Sequence, residues 1–180
     1  ENSGENWEQT NDGLLYGMNS RFGWYFGQIR VDPNNPDRVY GLGVDLVRSE
    51  NGGESWDVIA GYFNMEEIHV DHHAMIINEQ DGSIWIGNDG GLYNSTNFGD
   101  SWTHYNNIPL NQFYAINIDP SFPGAIYGGT QDNGTLRFWE GGLDSWEKIL
   151  GGDGFYTAIN PIDHEIIYAE YQWGQVKRSI

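Results

Sequence analysis

The sequence predicts an all-β chain, a β-propeller segment of four-stranded antiparallel blades with about four blades' worth of residues. Three observations predict it. Tryptophans at 7, 56, 102 and 146 recur at spacings of 49, 46 and 44 residues, the length of one propeller blade. A second motif keeps the same beat: "VDPNNPDRVYGLG", "INEQDGSIWIG", "IDPSFPGAIYGG" and "INPIDHEIIYAE" each place Asp or Asn seven or eight residues before Tyr or Trp. The 25 glycines and 27 aromatic residues, arranged as short alternating runs broken by Gly, Asn, Asp and Pro, suit short strands and tight turns, and no helical period is visible.

Taken in order, residues 1–15 read as the outer strand of a preceding blade. Residues 22–62, 68–107 and 112–150 read as complete blades, and 155–180 as the first three strands of a further one. Each second motif is an inner strand, a Pro- or Gly-bearing turn and a second strand entered through an aromatic. In the blade of 68–107 the expected strands A to D are Ala74–Glu79, Ser83–Gly87, Leu92–Ser95 and Ser101–Tyr105. On this count the segment belongs to a longer chain, and the remainder of that chain is an expected partner.

The turn between strands C and D carries the tryptophan. "SENGGESW" holds Ser49, Asn51, Gly53 and Trp56, and "STNFGDSW" holds Ser95, Asn97, Gly99 and Trp102. "ENSGENW" is the tail of another copy, and "WEGGLDSW" keeps only Trp146 in place. In such a turn the Asn oxygen accepts bonds from turn amides, Gly supplies a positive φ and Trp buries its apolar face. These residues are expected as structural staples.

Placing that turn on one end puts the D-to-A and B-to-C connections on the other. The D-to-A entries are "SRFGWYFGQ", "EEIHVDHHA", "PLNQFYA" and "GGDGFYT"; the B-to-C turns carry Asp45, "NDGG" (88–91), "QDNG" (131–134) and "QWGQ" (172–175). This end therefore collects the candidate ligand-binding residues Trp24, His72, His73, Phe113, Tyr114, Asp132 and Asn133, with Tyr25, Phe26, Phe155, Tyr156 and Trp173 on or near it. Alternation along an extended chain would set His69, Asp71 and His73 on one side and His72 on the other, a trio able to hold a divalent ion such as zinc or calcium. Loop ordering by the imidazoles, and direct ligand or catalytic work, stay open beside that metal reading.

The Ser-x-Asn-x-Gly-x-x-Trp pattern resembles the Asp-box, or bacterial neuraminidase (BNR) repeat. With "HVDHHA", "GNDGGLYNS" and "GGTQDNGT", the whole chain resembles sortilin-type and xyloglucanase-like propellers of secreted bacterial proteins. That resemblance implies a secreted or cell-surface protein that binds a glycan, a peptide or a partner protein. The alternative it implies is a polysaccharide-degrading hydrolase using two carboxylates, with Asp89 and Asp132 as candidates. Its catalytic Asp stands two residues before a Gly-Gly pair; Asn88 occupies that place here and cannot ionise. The sialidase arginine clamp is not matched by the six scattered arginines. With 26 acidic and 8 basic residues, a net charge of −18, nucleic acid is not an expected partner. No apolar run approaches the roughly 18 residues of a membrane helix, so membrane insertion is not expected. The absence of cysteine excludes thiolate metal sites.

Overall fold

In the computed structural model, residues 4–10, 13–108, 110–142 and 145–179 are described. They form an all-β, propeller-type fold of consecutive antiparallel sheets. The chain divides into two compact units, residues 1–106 and 107–180.

The first unit opens with one helical turn, α1 (Leu15–Met18), and carries two sheets. One is ordered β1 (Gln28–Asp32), β2 (Asn35–Leu42), β3 (Leu46–Ser49), β4 (Asp57–Ala60). The other is ordered β5 (His72–Ile77), β6 (Ile84–Asn88), β7 (Gly91–Ser95), β8 (Thr103–His104). Period-2 alternation makes these strands: in β6, Ile84 and Ile86 are buried while Trp85 is half-buried. The two sheets bury one core of Tyr40, Leu42, Leu46, Ile68, Met75, Ile84, Ile86 and Tyr93, with Trp102 packed against it. Each fully buried aliphatic side chain there contributes about 1.5–3 kcal/mol. Hydrogen bonds also stitch the sheets: Asn34 Nδ2 donates to Glu79 O at 3.1 Å, and Tyr40 Oη to Phe98 O at 3.1 Å.

The two full turn motifs have one internal geometry. Ser49 Oγ donates to Asn51 Oδ1 and accepts from Gly53 N, both at 2.9 Å; Asn51 Oδ1 also accepts from Ser55 N at 2.9 Å. Ser95, Asn97, Gly99 and Ser101 repeat this at 2.9, 2.9 and 3.0 Å. Gly53 and Gly99 sit at φ +94° and +97°, where a side chain is strained. Trp56 is half-buried and its Nε1 donates to Gly53 O at 3.1 Å. These turns lie at the same end as the β5–β6 turn, since a Cβ on Gly82 would meet the Phe98 ring at 3.5 Å.

The second unit holds β9 (Phe113–Ile118), β10 (Ile126–Thr130), β11 (Gly134–Phe138) and β12 (Trp146–Leu150) in one sheet. A three-stranded sheet follows: β13 (Thr157–Ile159), β14 (Ile167–Tyr171), β15 (Gln175–Arg178). Ala125, Tyr127, Ile159 and Ile167 form the core between them. At Trp146 the serine–asparagine network is replaced: Gly142 N donates to Ser145 Oγ at 3.0 Å, and the indole packs on Phe113 and Phe138 at 5.3 and 5.5 Å.

The described residues of the stretch 1–15, expected as the outer strand of a preceding blade, carry no strand, and Trp7 is exposed. Asn2 of that copy lies outside the described residues. The expected strand Ser101–Tyr105 shrinks to Thr103–His104, although Tyr105 N still donates to Leu92 O at 2.8 Å. Short helical turns, α1, Tyr62–Asn64 and Gln172–Gly174, occur where no helical period is visible, since one turn is too short to show a period.

Candidate functional site

In the first unit the strand register carries the histidines to the end away from the tryptophan turns. His72 opens β5 and faces Asn88 at the close of β6, so the β6–β7 turn at 88–91 stands beside "HVDHH". Asn88 Nδ2 donates to His69 O at 2.6 Å, and Asn88 Oδ1 accepts from Gly90 N at 3.0 Å. Asn88, at the place of the hydrolase aspartate, thus uses both ends of its amide to hold the loop. Gly90 is clamped: an added Cβ would come 2.4 Å from His69 Cβ and 2.7 Å from Tyr93 Oη.

The histidines do different work. His73 Nε2 donates to Asp89 Oδ1 at 2.5 Å. Its ring lies 5.6 Å from Tyr25 and 5.4 Å from Phe26, and Trp24 follows at 5.6 Å from Tyr25. His69 Nδ1 donates to Val70 O at 3.0 Å. His104 Nε2 donates to Gly90 O at 3.0 Å while its ring stacks on Tyr93. His72 is 1% exposed, and neither ring nitrogen has a hydrogen-bond partner. Burial first, then the nearby His69 and His73, lowers its pKa to about 3. A cation is unwelcome there, and His72 is a core residue rather than a surface ligand-binding residue.

The expected metal trio is His69, Asp71 and His73. Burial does alternate, with Val70 and His72 inside and the three named residues half-buried. Asp71, however, sits at φ +64° and turns the chain. His69 Nδ1 and His73 Nε2 are bonded to Val70 O and Asp89, and the three residues do not form a ligand group among the described residues. What does come together is Asp71 with Asp89, whose carboxylate oxygens lie within 4.8 Å.

Beside this pair stands the β2–β3 turn. Asp71 N and His72 N donate to Val44 O and Gly43 O at 3.0 and 2.9 Å, so the entry to β5 is spliced onto the preceding sheet's turn. Asp45 in that turn has its carboxyl pushed above the usual range by burial. Trp24 and Tyr25 are 81% and 61% exposed.

The second unit repeats the splice in its own residues. Gly154 N donates to Thr130 O at 2.9 Å, and Asp132 N to Asp153 Oδ1 at 2.8 Å. Asp132, the other candidate carboxylate, takes φ +57° in that turn, and Asn133 Nδ2 closes it on Gln131 O at 3.2 Å. Tyr114 stacks on Phe155 at 5.3 Å and donates to Gln131 Oε1 at 2.8 Å. Phe113 is half-buried and packs over Gly128, where an added Cβ would meet its ring at 2.3 Å.

Sequence reasoning missed one segment. Tyr62 and Phe63 are 71% and 70% exposed on a helical turn whose first amide, Gly61 N, donates to Asn64 Oδ1 at 2.9 Å. "GYFN" sits between repeat motifs, and only its two adjacent aromatics could have flagged it.

No family model matches the chain. It is 26% identical over 141 residues to the oligoxyloglucan-reducing end-specific xyloglucanase of Emericella nidulans, covering 68% of this chain and 17% of that protein. Among solved structures it is similar to an ancestral GH74 enzyme (20% identity, TM-score 0.37, 82% of this chain and 22% of that one). It is also similar to the GH74 xyloglucanase from Xanthomonas campestris (18%, TM-score 0.35, 78% and 26%). A third similarity is to the extracellular domain of a hybrid two-component system from B. thetaiotaomicron (13%, TM-score 0.38, 84% and 20%). The chain thus spans about a sixth to a quarter of the length of these proteins.

Proposed function

We propose that this chain is an Asp-box propeller module of a secreted or cell-surface protein, and that its histidine-bearing end binds a ligand without chemical turnover. One observation carries the reading: the His73–Asp89 pair is fixed against Tyr25 and Phe26 while Trp24 and Tyr25 stay exposed to water. Held imidazole and carboxylate groups next to bare aromatic faces make a rigid platform, and rigid aromatics bind at low entropic cost. In the second unit Phe113, Tyr114 and Asn133 carry the same role on this reading.

A second reading, polysaccharide hydrolysis, is favoured by the 26% identity to a xyloglucanase. Against it stand Asn88, which cannot act as a base, and Asp89, already engaged by His73. A panel of xyloglucan oligosaccharides and peptides, titrated against the wild type and a Trp24→Ala/Tyr25→Ala variant, tests the binding reading. Binding of at least one member should weaken about tenfold or more in the variant. Binding that the variant leaves unchanged for every member would refute it. Xyloglucan turnover lost in Asp89→Ala, Asp132→Ala or Asp71→Ala would install the hydrolase instead.

A further inference from the structure

We infer that the exposed aromatic surface at the histidine-bearing end of residues 1–106 docks a basic peptide segment, one presenting lysine or arginine side chains. This rests on the binding reading above and adds the partner's chemistry. Two loops meet on the β2–β3 turn at this end. The loop after α1 is tied there by Asp45 N donating to Met18 O at 2.9 Å. Gly43 has no room for a side chain between Asn19 Oδ1 and Met18 O, at 2.3 and 2.8 Å. The loop after β4 returns to the same turn, where a Cβ on Gly61 would meet Asp45 Oδ1 at 2.7 Å and the Phe63 ring at 3.3 Å. Trp24, Tyr25, Tyr62 and Phe63 are all largely exposed on these two loops. Exposed aromatic side chains gathered on two loops at one turn suit an interaction site.

Charge selects the occupant. Residues 1–106 contain 17 acidic residues, four arginines and no lysine. Arg38 and Arg48 are committed to Asp32, Glu50 and Asp100, and Arg30 to Gln28, Ile29 O and Met75 O. The loops that carry the aromatics and the turns beside them carry Asp45, Glu66, Glu67, Asp71 and Asp89 against one arginine, Arg21. The Asp71 and Asp89 carboxylates lie within 4.8 Å of each other, with His73 on Asp89, and add to the negative potential of this end. The chain already holds one guanidinium by this chemistry: Arg38 pairs with Asp32 and Glu50 while lying 3.8 Å above the Phe98 ring. An ammonium or guanidinium group gains from both the ring faces and the carboxylates. An anionic partner is repelled, and a neutral glycan makes no use of the charge.

The test is titration of the protein, followed by calorimetry and tryptophan fluorescence, with a short peptide alternating arginine and glycine. Its glutamate counterpart and a xyloglucan oligosaccharide serve as comparison probes, and sedimentation of the protein alone reports self-association. The arginine peptide should bind saturably and weaken about fivefold or more when salt rises from about 50 to about 300 mM. Binding should fall about tenfold in Trp24→Ala/Tyr25→Ala and in Tyr62→Ala/Phe63→Ala, with urea midpoints unchanged, and should persist in Trp173→Ala in the second unit. Peptide binding indifferent to both double variants is nonspecific attraction to an acidic chain and overturns the inference. If the oligosaccharide, or a second copy of the chain, binds in its place through these aromatics, the binding reading stands and the peptide partner is wrong. If no probe binds and the protein does not self-associate, both fail.

Discussion

Acid should unfold this protein partly through one buried imidazole, His72. In the folded chain it titrates at about 3 rather than 6.5, because burial penalises the cation and His69 and His73 add repulsion. Between those values the unfolded chain binds the proton and the folded chain does not. The stability is therefore fully present above pH 6.5 and is lost as pH falls toward 3. Each pH unit inside that window costs up to about 1.4 kcal/mol, so going from pH 7.5 to 5 removes about 2 kcal/mol. His72→Phe keeps a ring in the core and gives up no hydrogen bond, because neither nitrogen makes one. Urea unfolding of wild type and variant at both pH values isolates the effect, since His69, His73 and Asp89 are common to both. At pH 7.5 the variant should lie within about 1.5 kcal/mol of wild type. At pH 5 it should have lost about 2 kcal/mol less. An equal acid loss in both proteins would refute the reasoning, as would a variant that is unfolded at pH 7.5.

Other expected outcomes concern the turns and close approaches. Gly99→Ala should cost about 1–3 kcal/mol in urea unfolding, because φ is +97° there and the Cβ would lie 2.7 Å from Ile59 Cδ1. Ser95→Ala removes the buried oxygen that accepts from Gly99 N and should cost about 1–2 kcal/mol; amide exchange at Gly99 should speed up. Gly129→Ala in the second unit would put a Cβ 2.2 Å from Phe155 O, and it should destabilise by about 2 kcal/mol or more. Asp32→Ala strips an almost fully buried partner from Arg38 and should cost about 2–4 kcal/mol, measured by thermal unfolding.

Much of the fold was legible because it repeats. The tryptophan spacing locates the C-to-D turns, and the alternation of Ile84, Trp85 and Ile86 locates a strand and its buried face. The pairing of "HVDHH" with "NDGG" followed from strand direction alone, and the register of His72 with Asn88 agrees. The roles of individual histidines were not legible. A register shift between His72 and Ala74, together with the left-handed Asp71, interrupts the regular strand just where three ionisable residues adjoin. Which imidazole is buried and which reaches Asp89 then depends on neighbouring loops. Tyr62 and Phe63 were missed for a related reason: their turn is anchored by Asn64 and by close packing on Asp45, contacts distant in sequence that no period records.

The central claim is that, in residues 1–106, the tryptophan turns and the histidine loop occupy opposite ends of the blade. The chain has no cysteine, so paired spin labels can be introduced without background. A five-residue strand such as β6 separates its ends by about 17 Å. Labels at Gln80→Cys and Asp100→Cys should give a short distance. Labels at Gln80→Cys and Glu67→Cys should give one longer by on the order of 10 Å or more. Equal distances, or the reverse order, would contradict the account.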